Sequence, residues 1–139
     1  MAETGSRVIT VFLLDDHELV RAGVKDFLQT QPDIRVIGEA GTAAAALERI
    51  PALGPDVAIL DVRLPDGDGI SVCQQLRSQR PEVACLMLTA RADDQTRADA
   101  RAAGAAGYVL KQIRGSDLIG AVRTAAGSGE GPGSRRLAS

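Results

Sequence analysis

Five short runs of apolar residues recur along the chain, and a segment with helical periodicity follows each run. The runs are too short for helices and are rich in branched side chains, which is typical of buried strands. The third run, Val57 to Leu60, follows a Pro-Asp break and ends at Asp61. A carboxylate in that position has to be solvated, paired or bound to a metal. We predict β-strands over residues 8–14, 34–38, 57–60, 83–88 and 108–110.

The segments between these runs carry apolar or small residues at the spacing of amphipathic helices, and local signals mark their ends. Carboxylates open the first helix, where the helix dipole favours them, and Pro32 stops it. Thr42 caps an alanine-rich second helix that Pro51 closes, while Ser116 caps the last helix and Gly127 ends it. We predict helices over residues 20–28, 42–51, 69–81, 93–103 and 116–127.

The predicted fourth helix, residues 93–103, has no apolar side chain larger than alanine. Because buried apolar area stabilises by only about 25 cal/mol per Å², this helix gains little from docking against the sheet. We expect it to be the mobile helix of the fold.

Strands that alternate with helices are typical of a parallel, doubly wound sheet with right-handed crossovers. We predict an α/β fold with a single five-stranded parallel sheet, a flavodoxin-like (βα)5 unit of strand order 2-1-3-4-5, over residues 8–127. Residues 1–7 are expected to form a flexible leader, and the Gly- and Ser-rich residues 128–139 a flexible tail or the start of a linker. Functional groups in such sheets lie beyond the carboxyl ends of the strands, near the switch point of the strand order.

Composition and charge argue against a general nucleic-acid-binding protein and against a membrane protein. The 139 residues suffice for one domain with its own core, and a net charge of -2 with 24% charged residues argues against general nucleic-acid binding. Cys73 and Cys85 lie within apolar patterns and are predicted to be buried thiols rather than a disulfide or a metal-binding pair. The first residues are polar, and no run approaches the roughly 20 apolar residues of a membrane span. We expect a cytoplasmic protein without a membrane anchor.

Polar residues stand at the ends of four predicted strands: Asp15 and Asp16 after the first, Asp61 after the third, Thr89 after the fourth and Lys111 after the fifth. In the predicted order the first and third strands are neighbours, so the three carboxylates converge. Two carboxylates about 4 Å apart repel each other by roughly 4 kcal/mol at an effective dielectric constant of 20. The cluster therefore needs a cation, and Mg²⁺ is expected because it takes oxygen ligands.

These residues occur in four motifs that together resemble the receiver domains of response regulators. The motifs are Asp15-Asp16-His17, Asp61 with Leu64-Pro65-Asp66-Gly67, Leu88-Thr89-Ala90 and Gly107-Tyr108-Val109-Leu110-Lys111. Each motif alone is weak, and their combination is specific. The resemblance extends from residue 8 to about residue 127 and is strongest to the receivers of NarL/LuxR-type transcription regulators.

The resemblance implies that Asp61 is the phosphoacceptor, which takes a phosphoryl group from the phosphohistidine of a sensor histidine kinase and forms an acyl phosphate. It also implies that Asp16, Asp61 and the backbone carbonyl of Arg63 bind Mg²⁺, with Asp15 acting directly or through a water molecule. Such a domain assists its own phosphorylation and dephosphorylation and is a signalling domain rather than an enzyme.

The same pattern implies that Lys111 and the hydroxyl of Thr89 stabilise the phosphoryl oxygens. Thr89 and Tyr108 then act as a switch, in which the Tyr108 ring turns inward to fill the space that Thr89 vacates. The predicted fourth helix would reposition as a result. The simpler alternative for Tyr108 is a half-buried strand aromatic.

Regulators of this type control transcription through a helix-turn-helix domain, so DNA binding is expected only through an output domain that is not in this chain. A stand-alone receiver in a phosphorelay is the alternative. The face built from the fourth helix, the fifth strand and the fifth helix is either a solvated surface or the contact of a homodimer. Its charged helical members are Asp94, Arg97, Asp99 and Arg101.

Other residues near the motifs have simpler interpretations. His17, the only histidine, could be a general base or a metal ligand, and we favour a first-turn residue without a chemical role. Asp66 and Asp68 are expected to form a turn rather than to bind a ligand.

Three positions bear on how the chain compares with the family pattern. Gln112 stands where many receivers have proline, so a cis peptide bond there is disfavoured by about 3 kcal/mol. Arg63 and Arg91 occupy positions that in this family tune the lifetime of the acyl phosphate, and arginines there could shield it from water or pair with it.

Two other classes of function are weaker. A Mg²⁺-dependent phosphatase of the haloacid-dehalogenase type needs a second acid two residues beyond its aspartate nucleophile, where this chain has Arg63. A flavin or nucleotide binder needs a cradle rich in Gly, Ser and Thr after the first strand, where Asp15 and Asp16 would repel phosphate.

Overall fold

The computed structural model describes residues 7–90, 93–111 and 114–129, which form five strands of one sheet and five helices. The strands are β1 Ile9–Leu14, β2 Ile34–Ala40, β3 Val57–Asp61, β4 Ala84–Thr89 and β5 Gly107–Leu110. The helices are α1 Glu18–Leu28, α2 Ala43–Leu53, α3 Gly69–Gln79, α4 Asp94–Ala102 and α5 Gly115–Gly129. Arg63–Leu64 and Gly67–Asp68 pair as a short antiparallel hairpin between β3 and α3.

All neighbouring strands of the sheet are parallel and follow the order β2-β1-β3-β4-β5, which confirms the predicted topology. Leu14 pairs with Leu60 and Asp61 pairs with Leu88, so β1, β3 and β4 end at nearly the same level. Because parallel strands place all their carboxyl ends at one edge, the polar residues that follow them are brought together there.

Two hydrophobic cores lie on the two faces of the sheet, since side chains alternate along each strand. Phe12, Leu60 and Met87 belong to the core under α2, α3 and α4, whereas Leu13 and Ile59 belong to the core under α1 and α5. A sheet that is covered on both faces explains why its central strands are continuously apolar. The two cysteines are free and buried in the first core, as predicted.

Three predicted helix ends are wrong. Pro51 lies inside α2, which continues to Gly54, where a left-handed backbone (φ 61°) lets the cap N–H donate to Ile50 O at 2.8 Å. Glycine adopts this conformation at little cost, so it ends the helix where proline did not. Ser116 lies within the first turn of α5 and not at its cap, because the backbone carbonyl of Arg114 already accepts the hydrogen bonds that open the helix. The same helix continues past Gly127.

The predicted fourth helix, which we expect to dock weakly, corresponds to α4. Its buried residue is Ala100. Its N-terminus is fixed by Asp93, whose side chain accepts a hydrogen bond of 2.7 Å from the Thr96 amide. The helix therefore buries little apolar area, while its cap fixes where it begins. None of the described helices combines the length and the apolar character needed to cross a bilayer.

Candidate functional site

The buried polar side chains of the described residues, Asp15, Asp61 and Thr89, all lie at the carboxyl edge of the sheet. Asp15 directly follows β1, where its amide donates to Ala40 O of β2 at 3.1 Å, and it is 3% exposed. Asp61 and Thr89 are the last residues of β3 and β4. Sheet pairing thus places three polar groups where burial has to be compensated locally.

Lys111 supplies part of that compensation. Its ammonium nitrogen lies 3.0 Å from Asp61 Oδ2 and 3.3 Å from Asp15 Oδ2. Its backbone N–H donates to Thr89 O at 2.7 Å, so the end of β4 fixes where the lysine leaves the sheet. Lys111 therefore bridges two of the predicted carboxylates and contacts the backbone of the predicted threonine.

The cluster retains excess negative charge. Burial raises the pKa of Asp61, and the charge of Asp15 raises it further, although the hydrogen bond from Lys111 opposes both. Burial lowers the pKa of Lys111, but the contacts with Asp61 and Asp15 outweigh burial and leave it raised. Asp15 Oδ2 is buried and has no hydrogen-bond partner in the described part of the chain. A cation fits such a site, and hard oxygen donors suit Mg²⁺.

His17, which is predicted to be a first-turn residue without a chemical role, lies beside this cluster and contacts two of its carboxylates. Its Nδ1 lies 3.1 Å from Asp15 Oδ1 and 3.2 Å from Asp16 Oδ1, and its backbone N–H donates to Asp15 Oδ1 at 2.8 Å. Together with Asp61, these residues offer potential metal ligands that all lie within 4.8 Å of one another. The sequence feature that could have indicated this arrangement is the position of His17 directly after the two aspartates, at the N-cap of α1.

A cavity of about 160 Å³ opens beside Asp61. The backbone N–H of Arg63 points toward Asp61 Oδ1 at 3.4 Å, and the Arg63 side chain is exposed. The cavity is therefore accessible from solvent next to the carboxylate of Asp61. It is lined by His17, Asp61, Arg63, Thr89, Ala90 and Lys111. Arg91 and Gln112, which were singled out from the sequence, lie outside the described residues.

Tyr108 connects the sheet edge with α4. It pairs with Met87 in β4 and is half-buried against the same core. Since side chains alternate along a strand, Thr89 projects from the same face of the sheet as Met87. The guanidinium carbon of Arg97 in α4 lies 5.2 Å from the centre of the Tyr108 ring. Arg97 is therefore in contact with the strand and not only part of a solvated helix face.

Asp66 and Asp68 do more than form a turn. Asp66 accepts hydrogen bonds from the amides of Ala43 and Ala44 at 2.8 and 3.0 Å, which lowers its pKa. Asp68 caps α3 by accepting from the Ser71 amide at 2.8 Å. The loop after β3 is thus tied to the start of two helices.

Comparison with known proteins identifies the family. The sequence profile of the response regulator receiver domain matches residues 11–123. The DNA-binding transcriptional activator DevR/DosR of Mycobacterium tuberculosis is 52% identical over 116 residues, which are 84% of this chain and 54% of that protein. The response regulator protein VraR of Staphylococcus aureus is 36% identical over 115 residues, 83% of this chain and 55% of that protein. The chain thus spans about half the length of these curated relatives.

Solved structures give the same result. The signal receiver domain of NarL from Mycobacterium tuberculosis superposes with a TM-score of 0.83 at 38% identity, covering 86% of this chain and 97% of that domain. A two-component response regulator of the LuxR family from an Aurantimonas species has a TM-score of 0.83 at 27% identity, covering 87% and 86% of the two chains. This chain therefore belongs to the response regulator receiver family and is the receiver domain of a two-component response regulator, similar to those of NarL/LuxR-type transcription regulators.

Proposed function

We propose that Asp61 is the phosphoacceptor of this receiver and takes its phosphoryl group from the phosphohistidine of a sensor histidine kinase. A carboxylate oxygen of Asp61 forms a bond to phosphorus while the phosphorus–nitrogen bond breaks, and the electron pair returns to the donor imidazole. The observation that carries this proposal is the position of Asp61, which is buried at the end of β3 and also lines a solvent-accessible cavity. Asp15 and Asp16 do not line that cavity.

The surrounding residues supply charge stabilisation. Lys111, 3.0 Å from Asp61 Oδ2, can shift onto a phosphoryl oxygen because its long side chain lines the same cavity. Thr89 lines it too and can donate its hydroxyl to a second phosphoryl oxygen. Asp15, Asp16, Asp61 and the backbone carbonyl of Arg63 would hold Mg²⁺. The bound ion would neutralise charge on the transferring group.

Phosphorylation changes the charge of the site and so drives a rearrangement. Three carboxylates, one Mg²⁺ and one lysine sum to zero, and the added phosphoryl group makes the sum negative. Thr89 would move toward the phosphoryl group, and Tyr108 would turn inward and lose its contact with Arg97. The helix that this releases is α4, which buries only a small alanine face. A phosphate that interacts better with the inward state shifts the population toward it.

The test is phosphorylation with a small-molecule donor. Incubation with acetyl phosphate and Mg²⁺ should add one phosphoryl group to the intact protein, as seen by mass spectrometry. Asp61→Ala should abolish the adduct, whereas Asp26→Ala, which removes an exposed carboxylate of α1, should leave it unchanged. No adduct, or an adduct that survives Asp61→Ala, would overturn the proposal. Multiple turnover of para-nitrophenyl phosphate would instead support the phosphatase alternative.

We also propose how the phosphorylated receiver acts within the whole protein. One relative is named a DNA-binding transcriptional activator, and this chain covers 54% of it. We infer that residues 8–127 form the receiver and that a DNA-binding output domain acts with it, with a stand-alone phosphorelay receiver as the alternative. The coding sequence that follows residue 139 decides between the two. Sedimentation before and after phosphorylation tests whether α4, β5 and α5 form a homodimer contact.

A further inference from the structure

The imidazole of His17 occupies a position that a metal ligand would take. Its Nδ1 and the Oδ1 atoms of Asp15 and Asp16 are separated by 3.1 and 3.2 Å. In an octahedral complex with bonds of about 2.1 Å, neighbouring ligand atoms lie about 3 Å apart. The imidazole nitrogen therefore lies at about that spacing from each of the two carboxylate oxygens.

The local fold holds these groups in place. The backbone N–H of His17 donates to Asp15 Oδ1, and the imidazole makes no capping hydrogen bond to α1. The ring is 61% exposed, so it forms the solvent side of the cluster, while Asp15 and Asp61 form its buried side. The ring is thus held by its contacts with the two aspartates and not by burial or helix capping.

The buried side of the cluster also favours a cation. The buried Oδ2 atom of Asp15 lacks a hydrogen-bond partner among the described residues, although the Lys111 ammonium is 3.3 Å away. That ammonium is already engaged at 3.0 Å with Asp61 Oδ2. One ammonium thus faces two buried carboxylates, and the negative charge that it leaves uncompensated favours a cation at this cluster.

We propose that His17 is a nitrogen ligand of the divalent cation, in a position that Mg²⁺ leaves to water. This inference rests on the cation site of the proposed function and deepens it. Imidazole suits Ni²⁺, Co²⁺ and Zn²⁺ much better than Mg²⁺, whose preferred ligands are carboxylate, carbonyl and water. The site is therefore selective for first-row transition metal ions to a degree that the aspartates alone would not give.

The chain offers a direct spectroscopic test, because His17 is its only histidine. Untagged protein is loaded with Cu²⁺, an ion that imidazole suits, and pulsed electron paramagnetic resonance measures coupling of the metal to ¹⁴N. An imidazole coupling in the wild-type protein that disappears in His17→Ala assigns the ligand. The same coupling should remain in Glu18→Ala, which changes the adjacent exposed residue of α1. Bound Cu²⁺ without a nitrogen coupling would overturn the inference.

Calorimetric titration then measures selectivity. We expect His17→Ala to weaken Ni²⁺ and Co²⁺ binding about tenfold or more and to change Mg²⁺ binding by less than about twofold. Equal loss for all three ions, or for none, would mean that His17 is only a hydrogen-bond partner of the aspartates. Failure of the proposed function gives a different result, namely the absence of an acetyl phosphate adduct on Asp61, and neither the nitrogen coupling nor the metal titration measures that adduct.

Discussion

A Cβ atom on Gly69 would lie 2.2 Å from the backbone carbonyl oxygen of Asp61. Gly69 is the first residue of α3, and its amide donates to Val62 O at 2.9 Å. After β3 the chain forms the short hairpin and then comes back, so that the start of α3 contacts the backbone at the end of β3. This close approach fixes the backbone on both sides of the candidate phosphoacceptor, and only glycine fits it.

Gly69→Ala should therefore destabilise the fold. The contact is with backbone, which cannot move aside like the end of a side chain, so the loss should be about 2 kcal/mol or more. Urea unfolding followed by circular dichroism measures it. Gly120→Ala is the matched control, since nothing lies within 4 Å of a Cβ there and alanine in a helix gains about 0.5–1 kcal/mol over glycine. Equal effects of the two substitutions would contradict the close approach.

Asp61→Asn should stabilise the metal-free fold at neutral pH. Because the pKa of Asp61 is raised in the folded state, the folded state binds its proton more tightly than the unfolded state does. Stability is then lost as the pH rises from the ordinary pKa near 3.8 through the raised value, and asparagine removes that loss. A gain of about 1 kcal/mol would raise Tm by roughly 4 °C.

The measurement is thermal unfolding in chelator across a pH series. The advantage of Asp61→Asn should vanish below the ordinary aspartate pKa, where Asp61 is protonated in both states. Asp26→Asn, at an exposed position of α1, should shift Tm little at any pH. A lower Tm for Asp61→Asn at neutral pH would mean that the hydrogen bond from Lys111 outweighs the repulsion from Asp15.

The sequence predicts the positions of those site residues that lie at the ends of strands. Parallel strands meet at one edge, so a residue after β1 and a residue at the end of β3 become neighbours from topology alone, and Asp15 and Asp61 were predicted on that basis. Helix ends were predicted less well, because Pro51 and Ser116 are local signals that neighbouring hydrogen bonds override. Pairing patterns also could not reveal the contact of Asp66 with α2, which joins residues that are distant in sequence.

Asp66 should control the start of α2. Its carboxylate accepts from the amides of Ala43 and Ala44, which lack partners within the helix, so Asp66→Ala should speed hydrogen exchange at both amides several-fold. Asp68→Ala is the reciprocal control, because Asp68 caps α3 through the Ser71 amide. That variant should speed exchange at Ser71 and leave Ala43 and Ala44 unchanged. Equal acceleration at all three amides in both variants would indicate general loosening of the loop.

Helix α4 should exchange faster than the other four helices. Its buried residue is Ala100, whereas α3 buries Val72, Cys73 and Leu76. Local opening of α4 therefore exposes less apolar area and needs less free energy. Hydrogen exchange with peptide or residue resolution compares the helices directly. Equal protection of α4 and α3 would remove α4 as the element that phosphorylation repositions.

Tyr108 can report its own switching, because the chain contains one tyrosine and no tryptophan. Intrinsic fluorescence therefore comes from this ring alone, which is half-buried and 5.2 Å from Arg97. If the ring turns inward, acrylamide should quench it less after treatment with acetyl phosphate and Mg²⁺. Asp61→Asn should show no change, and Thr89→Ala should become phosphorylated with a smaller change in quenching. Unchanged quenching in wild-type protein that mass spectrometry shows to be phosphorylated would exclude the inward movement of Tyr108.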